Sequence, residues 1–351
     1  MIFRIIKGLT KLFIILYRIN WLKLARLYNR KAPVILWVPR KGIKYFFGNA
    51  FVWDTATVNA FIKNNISFRI FYSNKIGKLH NKTIFHTVNR SLNIFGFANQ
   101  THIYQHVLYC LQTQGNMLYP TLEEVNFWEN KVYMHRKFED LNIREPFTEL
   151  YNTDKKIDTS SFVYPFLVKA EHSASSQGLY KISTLQEFEH LISSDKFKME
   201  NEVLIKQQLI NMRKDLRVIL VGGEIVHYYW RINLSGEWKP TSTSFGSKVD
   251  FGNFPEQWRQ HIIDTFKKLE LTAGAFDITW EGDDLSQEPL YLEVSPVFQP
   301  NPKIEMRDKS YAYFKKKLSP FNEYDRNFID LVFAIKDKYL RFVLNKPLKD
   351  F

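Results

Sequence analysis

The chain has 351 residues, 45% of them hydrophobic, with 30 Phe, 18 Tyr and 8 Trp and no low-complexity stretch. That excludes a disordered or fibrous protein and allows two or three lobes with real cores. A single cysteine, Cys110, cannot close an internal disulfide, and no Cys/His cluster has zinc spacing, which suits a reducing cytoplasm.

The net charge of +13 is unevenly spread: residues 1–122 hold 17 Lys/Arg and one acid, Asp54, for a balance of +16, whereas the rest holds 32 basic and 35 acidic residues, for −3. Residues 1–32 read as a basic amphipathic helix. At about 100° per residue, Arg4, Lys7, Lys11 and Arg18 fall within about 60° of each other. Ile2, Phe3, Ile5, Ile6, Leu9, Leu12, Phe13, Ile15, Leu16, Ile19 and Trp21 cover most of the remaining surface. The longest uncharged stretch, Leu12 to Tyr17, is far short of the ~20 residues a bilayer span needs. No small-residue cleavage site follows, so a removable signal peptide is not expected either. Two readings stay open: a peripheral seat on an anionic membrane, where each Lys/Arg adds about 1 kcal/mol near the surface, or packing on the protein itself or on a second subunit of a homo-oligomer.

Residues 33–120 alternate strand and helix. Val34 to Val38 reads as a buried strand, residues 55–63 as a helix and Ser67 to Tyr72 as a second strand, which together predict a small parallel α/β lobe. Cys110, in His106-Val107-Leu108-Tyr109-Cys110-Leu111, reads as a small buried helix residue and not a nucleophile. The polar stretch Tyr151 to Ser161 is the expected exposed connection to the strands that follow.

The next segments carry the chemistry. Pro165-Phe166-Leu167-Val168-Lys169 is a buried strand ending in a lysine. It is followed by the small polar loop Glu171 to Gly178 and a further strand from Leu179. A lysine beside such a loop can meet phosphates, the ammonium supplying charge and the loop N–H groups closing over the oxygens. Leu204 to Ile210 is another strand. Asp215-Leu216-Arg217 then opens a hairpin turned by Gly222-Gly223, a strong two-residue hairpin signal. Ala275 to Trp280 and Pro289 to Ser295 form a last hairpin. Folding it about residue 285 sets Asp277 opposite Glu293 and sends Phe276, Ile278, Trp280, Leu290, Leu292 and Val294 to the other face. Two facing acids destabilise a strand pair unless a cation bridges them, so Asp277 and Glu293 predict a magnesium site. Beyond Lys303, residues 322–344 read as helical and Lys315-Lys316-Lys317 as a solvated face.

Taken in order, these segments resemble the ATP-grasp superfamily and, within it, the RimK-like and glutathione-synthetase-like ligases that join a carboxylate to an amine. The resemblance covers roughly residues 120–302 and rests on the order of five motifs, each weak alone. It implies an α/β (α+β) ATP-grasp fold at 121–302, in which two α/β lobes hold ATP. A small parallel α/β domain (33–120) and an N-terminal amphipathic helix (1–32) precede it, and a helical extension (303–351) follows. It also implies ATP with one or two magnesium ions as cofactors, and nucleotide contacts from Lys131, Lys169, Ser173, Ser175, Ser176, Gly178, Gln207, Gln208, Leu209 and Asp215. The metal would sit on Asp277 and Glu293. The family's Glu-x-Asn is here Glu293-Val294-Ser295, so Ser295 or Asn301 would have to supply the missing oxygen.

Arg217 and Arg231 are the expected catalytic cations, stabilising charge as a carboxylate is phosphorylated to an acyl phosphate and then displaced by an amine. For Arg217 the competing assignment is an ion pair with Asp215. The substrates expected are small or glycan- or lipid-linked acids and amines, in the cytoplasm or at the cytoplasmic face of a membrane. Nucleic acid is not expected, because no binding module is present. A polyol kinase and a membrane-associated scaffold with a decayed site are the alternatives.

Overall fold

The computed structural model describes residues 2–39, 42–73, 75–88, 97–173, 178–305, 310–317 and 322–345. In chain order the helices are α1 (Ile2–Arg18), α2 (Trp21–Leu27), α3 (Asn49–Lys63), α4 (Phe97–Thr113), α5 (Leu122–Val125), α6 (Lys131–Asp140), α7 (Leu185–Ser193), α8 (Asp195–Glu200), α9 (Arg259–Lys268), α10 (Tyr311–Lys316) and α11 (Glu323–Asn345). The strands are β1 (Val34–Val38), β2 (Phe68–Tyr72), β3 (Thr83–His86), β4 (Met117–Tyr119), β5 (Thr148–Asn152), β6 (Phe166–Ala170), β7 (Leu179–Ile182), β8 (Val203–Gln208), β9 (Lys214–Val221), β10 (Glu224–Ile232), β11 (Lys248–Asp250), β12 (Ala273–Thr279) and β13 (Leu290–Ser295). They form two units, Met1–Asn93 with His106–Val125 and Gln299–Phe351, and Ile94–Gln105 with Asn126–Phe298.

The first unit is built on a parallel sheet in the order β2-β1-β3-β4. β1 reads Val-Ile-Leu-Trp-Val, the unbroken apolar run of a strand covered on both faces, and Ile35, Leu36 and Trp37 are buried. Phe61 of α3 sets its ring 5.0 Å from Phe68 and, edge to face, 5.1 Å from Phe85, tying helix to sheet. α11 packs along α3, so α3 is buried on nearly all sides. That burial also explains why α3 starts at Asn49, six residues before the helix expected from Thr55: the extra turn gains a partner in the fold that the sequence does not show.

α1 corrects a sequence expectation. It ends at Arg18 and does not run on to Arg30, because Asn20 caps α2 by accepting from Lys23 N at 3.0 Å and Trp21 Nε1 donates to the Leu16 carbonyl. Lys7 and Lys11 of its cationic arc face inward. Lys7 and Lys11 place Nζ 3.5 and 3.7 Å from the buried Asp325 carboxylate of α11, and Arg18 donates to Asp330 at 2.9 Å. Lys7 and Lys11 also lie over the rings of Tyr324 and Phe328. Gly8 lets the helix close on the turn Ile43–Phe47, where a Cβ would come within 2.4 Å of Phe47 Cβ. Ile14 and Ile15 are buried, whereas Ile6, Leu9, Phe13, Leu16 and Tyr17 are left on the outside.

The second unit has two antiparallel sheets, β5-β8-β6-β7 and β11-β10-β9-β12-β13. Phe162, Phe166, Val168, Phe188 and Leu204 fill the core of the first. Under the second, Leu216, Val218, Phe276, Ile278 and Trp280 meet Met134 and Phe138 of α6 and Ile262 and Phe266 of α9. Tyr151, expected in an exposed connection, belongs to β5 and pairs with Leu204; the strand ends at Asn152. β8 stops at Gln208, so Leu209 and Ile210 lie beyond the strand. Cys110 is half-buried on α4, its Sγ 3.6 Å from His106 Nε2.

The last hairpin pairs Asp277 with Glu293, as the numbering requires, but the register then slips: Ile278 faces Tyr291 and Thr279 faces Leu290. A bulge sets two residues against one and changes the parity of every residue beyond it. Leu292 is therefore half-buried and off the greasy face assigned to it, and Leu290 sits with Thr279 on the opposite face. Tyr291 fills the core position instead, its ring 4.8 Å from Phe276.

Candidate active site

Four neighbouring strands of the larger sheet carry one row of side chains. β10, β9, β12 and β13 place Tyr229, Arg217, Asp277 and Glu293 side by side through successive cross-strand pairs. A symmetric fold about the Gly222-Gly223 turn would set Arg217 opposite Tyr228, but a bulge between Ile225 and His227 shifts the β9–β10 register and sets it opposite Tyr229. Two residues along the same two strands, and so on the same face, Asp215 pairs with Arg231.

The ion pairs differ from the sequence-based alternative. Arg217 does not pair with Asp215. Its Nε donates to Asp277 Oδ1 at 2.7 Å and its Nη2 to Oδ2 at 2.6 Å, a bidentate fork. Arg231 grips Asp215 in the same way, Nε to Oδ1 at 2.8 Å, and its Nη2 also reaches Asp277 Oδ2 at 2.9 Å. Asp215, expected at the nucleotide, is buried and serves to hold Arg231. Burial alone would raise the Asp277 carboxyl, but Arg217 and then Arg231 outweigh it and keep the group well below the usual carboxylate range.

Two lysines approach the row from the neighbouring elements. Lys131 opens α6, whose first turn is capped by Asn130 accepting from Tyr133 N at 3.0 Å. Its Nζ lies 3.4 Å from Glu293 Oε1 and 3.3 Å from the Ser173 carbonyl. Lys169, near the end of β6, is buried and donates to the Leu292 carbonyl at 3.4 Å, the oxygen at the bulge. Burial, then the repulsion of Lys131, lowers its ammonium to about 8 against the pull of Glu293, Glu145 and Asp277.

Ser173 is buried at the start of the polar loop, and Gly178 closes it with φ +71 where a Cβ would meet Ala170 Cβ at 2.6 Å. Ser175 and Ser176 lie outside the described residues. Gln207 is buried and its side chain donates to Thr148 Oγ1 at 2.9 Å, while the Gln208 N–H is spent on the Phe147 carbonyl. Leu209 follows the strand end, half-buried. Ser295 turns its hydroxyl back on its own chain, donating to the Val297 carbonyl at 2.8 Å and accepting from Val297 N. Asn301 belongs to the first unit, where it is buried.

A RimK-like ATP-grasp domain model matches residues 132–309. The chain belongs to the RimK-like ATP-grasp family. Solved structures of the same fold include a RimK domain ATP-grasp protein from Sphaerobacter thermophilus DSM 20745, 11% identical over 76% of this chain and 91% of that one, with a TM-score of 0.50. D-alanine–D-alanine ligase from Bacillus anthracis complexed with ATP is 11% identical over 89% and 99% of the two chains, with a TM-score of 0.55. D-cycloserine synthetase DcsG is 9% identical over 86% and 99%, with a TM-score of 0.54. At these identities the likeness is one of fold. No curated protein matches the chain by sequence. Against this ATP-grasp fold, no described helix is long and apolar enough to cross a membrane.

Sequence reasoning missed two neighbours of Lys169. His135 lies one turn after Lys131 on α6, and its Nδ1 shares a short hydrogen bond with Glu145, just ahead of β5. Burial raises the Glu145 carboxyl to about 8 and holds His135 neutral. The four-residue step from Lys131 to His135 is the signal that could have placed His135 on the same helix face.

The donors present fit one magnesium ion. Magnesium is usually held by one or two carboxylates together with phosphate oxygens. Glu293 is 41% exposed in its side chain, and Asp277 Oδ1 accepts one bond only from Arg217 Nε, leaving it a free lone pair. Among the described residues no three His, Cys, Asp or Glu gather around a common point. A second ion would lack its usual third oxygen, since the Ser295 hydroxyl is already engaged.

Proposed function

We propose that the protein is an ADP-forming ligase that joins a carboxylate to an amine through an acyl phosphate, with ATP held in the second unit. The row Arg217-Asp277-Glu293 with Lys131, Lys169 and Arg231 beside it supports this reading: four cations and two acids meet on one face of the larger sheet, which α6 and β6 approach. In the proposed reaction an oxygen of the acid attacks the terminal phosphorus of ATP, and ADP leaves. The amine nitrogen then attacks the acyl carbon, inorganic phosphate leaves, and the nitrogen gives up a proton.

Both steps move negative charge between oxygens, so positioning and fixed positive charge supply most of the acceleration. Lys131 and Lys169 take the nucleotide phosphates, with Ser173, Ser175, Ser176 and Gly178 as the covering loop. The chain just past β8 lies against the adenine. Arg217 and Arg231 stabilise the acyl phosphate, and Asp215 positions Arg231. A single magnesium ion on Glu293 and Asp277 would neutralise the phosphate oxygens. The basic first third favours an anionic acid or amine, free or carried on a glycan or lipid, and the need for ATP suits the cytoplasm.

The test is incubation with ATP, magnesium, hydroxylamine and a panel of amino acids and sugar acids. A hydroxamate formed together with ADP traps the acyl phosphate. ADP formed with a phosphorylated hydroxyl compound and no hydroxamate would assign the site to a kinase, and absence of ATP binding by calorimetry would remove both readings.

A further inference from the structure

The inward turn of Lys7 and Lys11 leaves a surface of α1 that the catalytic reading does not use. Ile6, Leu9, Phe13, Leu16 and Tyr17 are 46, 50, 63, 40 and 87% exposed. At about 100° per residue they span an arc of about 100°. α2 extends the stripe with Trp21 and Leu22, 53 and 88% exposed. A helix of a globular protein normally buries such a stripe and shows its charges to water. Here Lys7 and Lys11 pair with a buried acid while the large nonpolar groups face out.

The charge around the stripe decides what fits it. Lys23 and Arg26 share α2 with Trp21 and Leu22, Arg30 and Lys31 follow it in the chain, and all four are exposed. The chain has no acid before Asp54, which is itself buried, and the acids lying against α1, Asp325 and Asp330, are taken up by Lys7, Lys11 and Arg18. A second copy of this chain that paired the same face with itself would set basic surface against basic surface. Nucleic acid would match the charge and leave the nonpolar groups in water. An anionic bilayer satisfies both, headgroups meeting the cations and the acyl boundary taking the nonpolar side chains, with Trp and Tyr at the depth such rings prefer.

We propose that the outward stripe of α1 and α2, together with Lys23, Arg26, Arg30 and Lys31, seats the protein on an anionic lipid surface through its nonpolar face, while Lys7 and Lys11 only lock α1 to α11. The proposal stands apart from the ligase assignment and can fail without it.

The experiment is co-sedimentation of the full chain with liposomes of phosphatidylcholine alone and of phosphatidylcholine mixed equally with phosphatidylglycerol. The mixed vesicles bind the protein, and added salt weakens the binding. The double variant Phe13→Glu, Leu22→Glu and the double variant Lys23→Glu, Arg26→Glu each lose roughly tenfold or more in partition. Both keep the parent circular dichroism and melting temperature, because the altered side chains are exposed. A parent chain left in the supernatant, or a Phe13→Glu, Leu22→Glu variant that binds like the parent, overturns the proposal. So does a dimer that this variant breaks in a chain that binds no lipid, which would give the stripe to a second copy.

Discussion

Replacing Asp277 by Asn tests the arginine pairing through stability. Asp277 accepts from Arg217 at 2.7 and 2.6 Å and from Arg231 at 2.9 Å, in a buried position. Breaking a buried pair by removing one partner costs about 3–5 kcal/mol, because the remaining charge is left uncompensated. Arg231 keeps Asp215, so Arg217 alone loses its counter-charge, and the amide oxygen still accepts one bond. The lower end is expected, about 3 kcal/mol for Asp277→Asn. Arg217→Gln should cost about 2 kcal/mol, since Asp277 then retains Arg231. The double variant has no unpaired charge and should cost about 3 kcal/mol, giving a coupling of about 2 kcal/mol. Urea unfolding reads this through Trp230 and Trp280, whose rings lie 5.7 Å apart in the core of the second unit. If the two single losses add to within about 0.5 kcal/mol in the double variant, the pairing does not exist in solution and the reasoning fails.

Glu293→Gln should separate stability from turnover: the side chain is 41% exposed and its partner is 3.4 Å away, so unfolding should shift by about 0.5 kcal/mol or less while turnover falls at least roughly a hundredfold. Near-parent turnover in that variant would take Glu293 out of the reaction. Lys169, with its ammonium lowered to about 8, is mostly neutral at a pH of about 8.5, and a triphosphate beside it draws a proton on. ATP titrations in two buffers of different ionisation heat should therefore disagree at that pH, and equal heats would count against the Lys169 contact. Glu145 ionises at about 8 in the folded chain against an ordinary value of 4.5, so the fold holds a proton that the unfolded chain has already released. The contribution of Glu145 to stability should fall as pH rises from about 4.5 to 8, against the opposite contribution of His135, whose burial in the neutral form favours the fold as pH rises toward 6.5, so Glu145→Gln should shift the pH slope upward; an unchanged slope in chemical denaturation would place the effect elsewhere.

Alternation and a symmetric fold of the hairpin about residue 285 were enough to read the acid pair, although the connection between β12 and β13 runs over residues 280–289. The bulge at Leu292 was not readable, since Leu290, Leu292 and Val294 alternate regularly with Tyr291, Glu293 and Ser295 and nothing in that pattern marks a slip. Arg217 shows the limit of local reasoning. Its nearest acid in sequence is Asp215, two residues away on the same face, yet its partner is Asp277, brought alongside by the β9–β12 register. The orientation of α1 was hidden for the same reason. The helix has a cationic arc and a nonpolar arc, and which one turns inward depends on acids such as Asp330, 312 residues from Arg18.

The bond from Lys169 to the Leu292 carbonyl fastens a strand of one sheet to the bulged edge of the other inside the second unit. An ammonium carries three N–H donors, so a phosphate can share Lys169 without releasing the carbonyl, which it meets at 3.4 Å. On the proposed chemistry, nucleotide arrival adds an external tie at the point where the two sheets are already joined, and the loaded protein is the stiffer one at this joint.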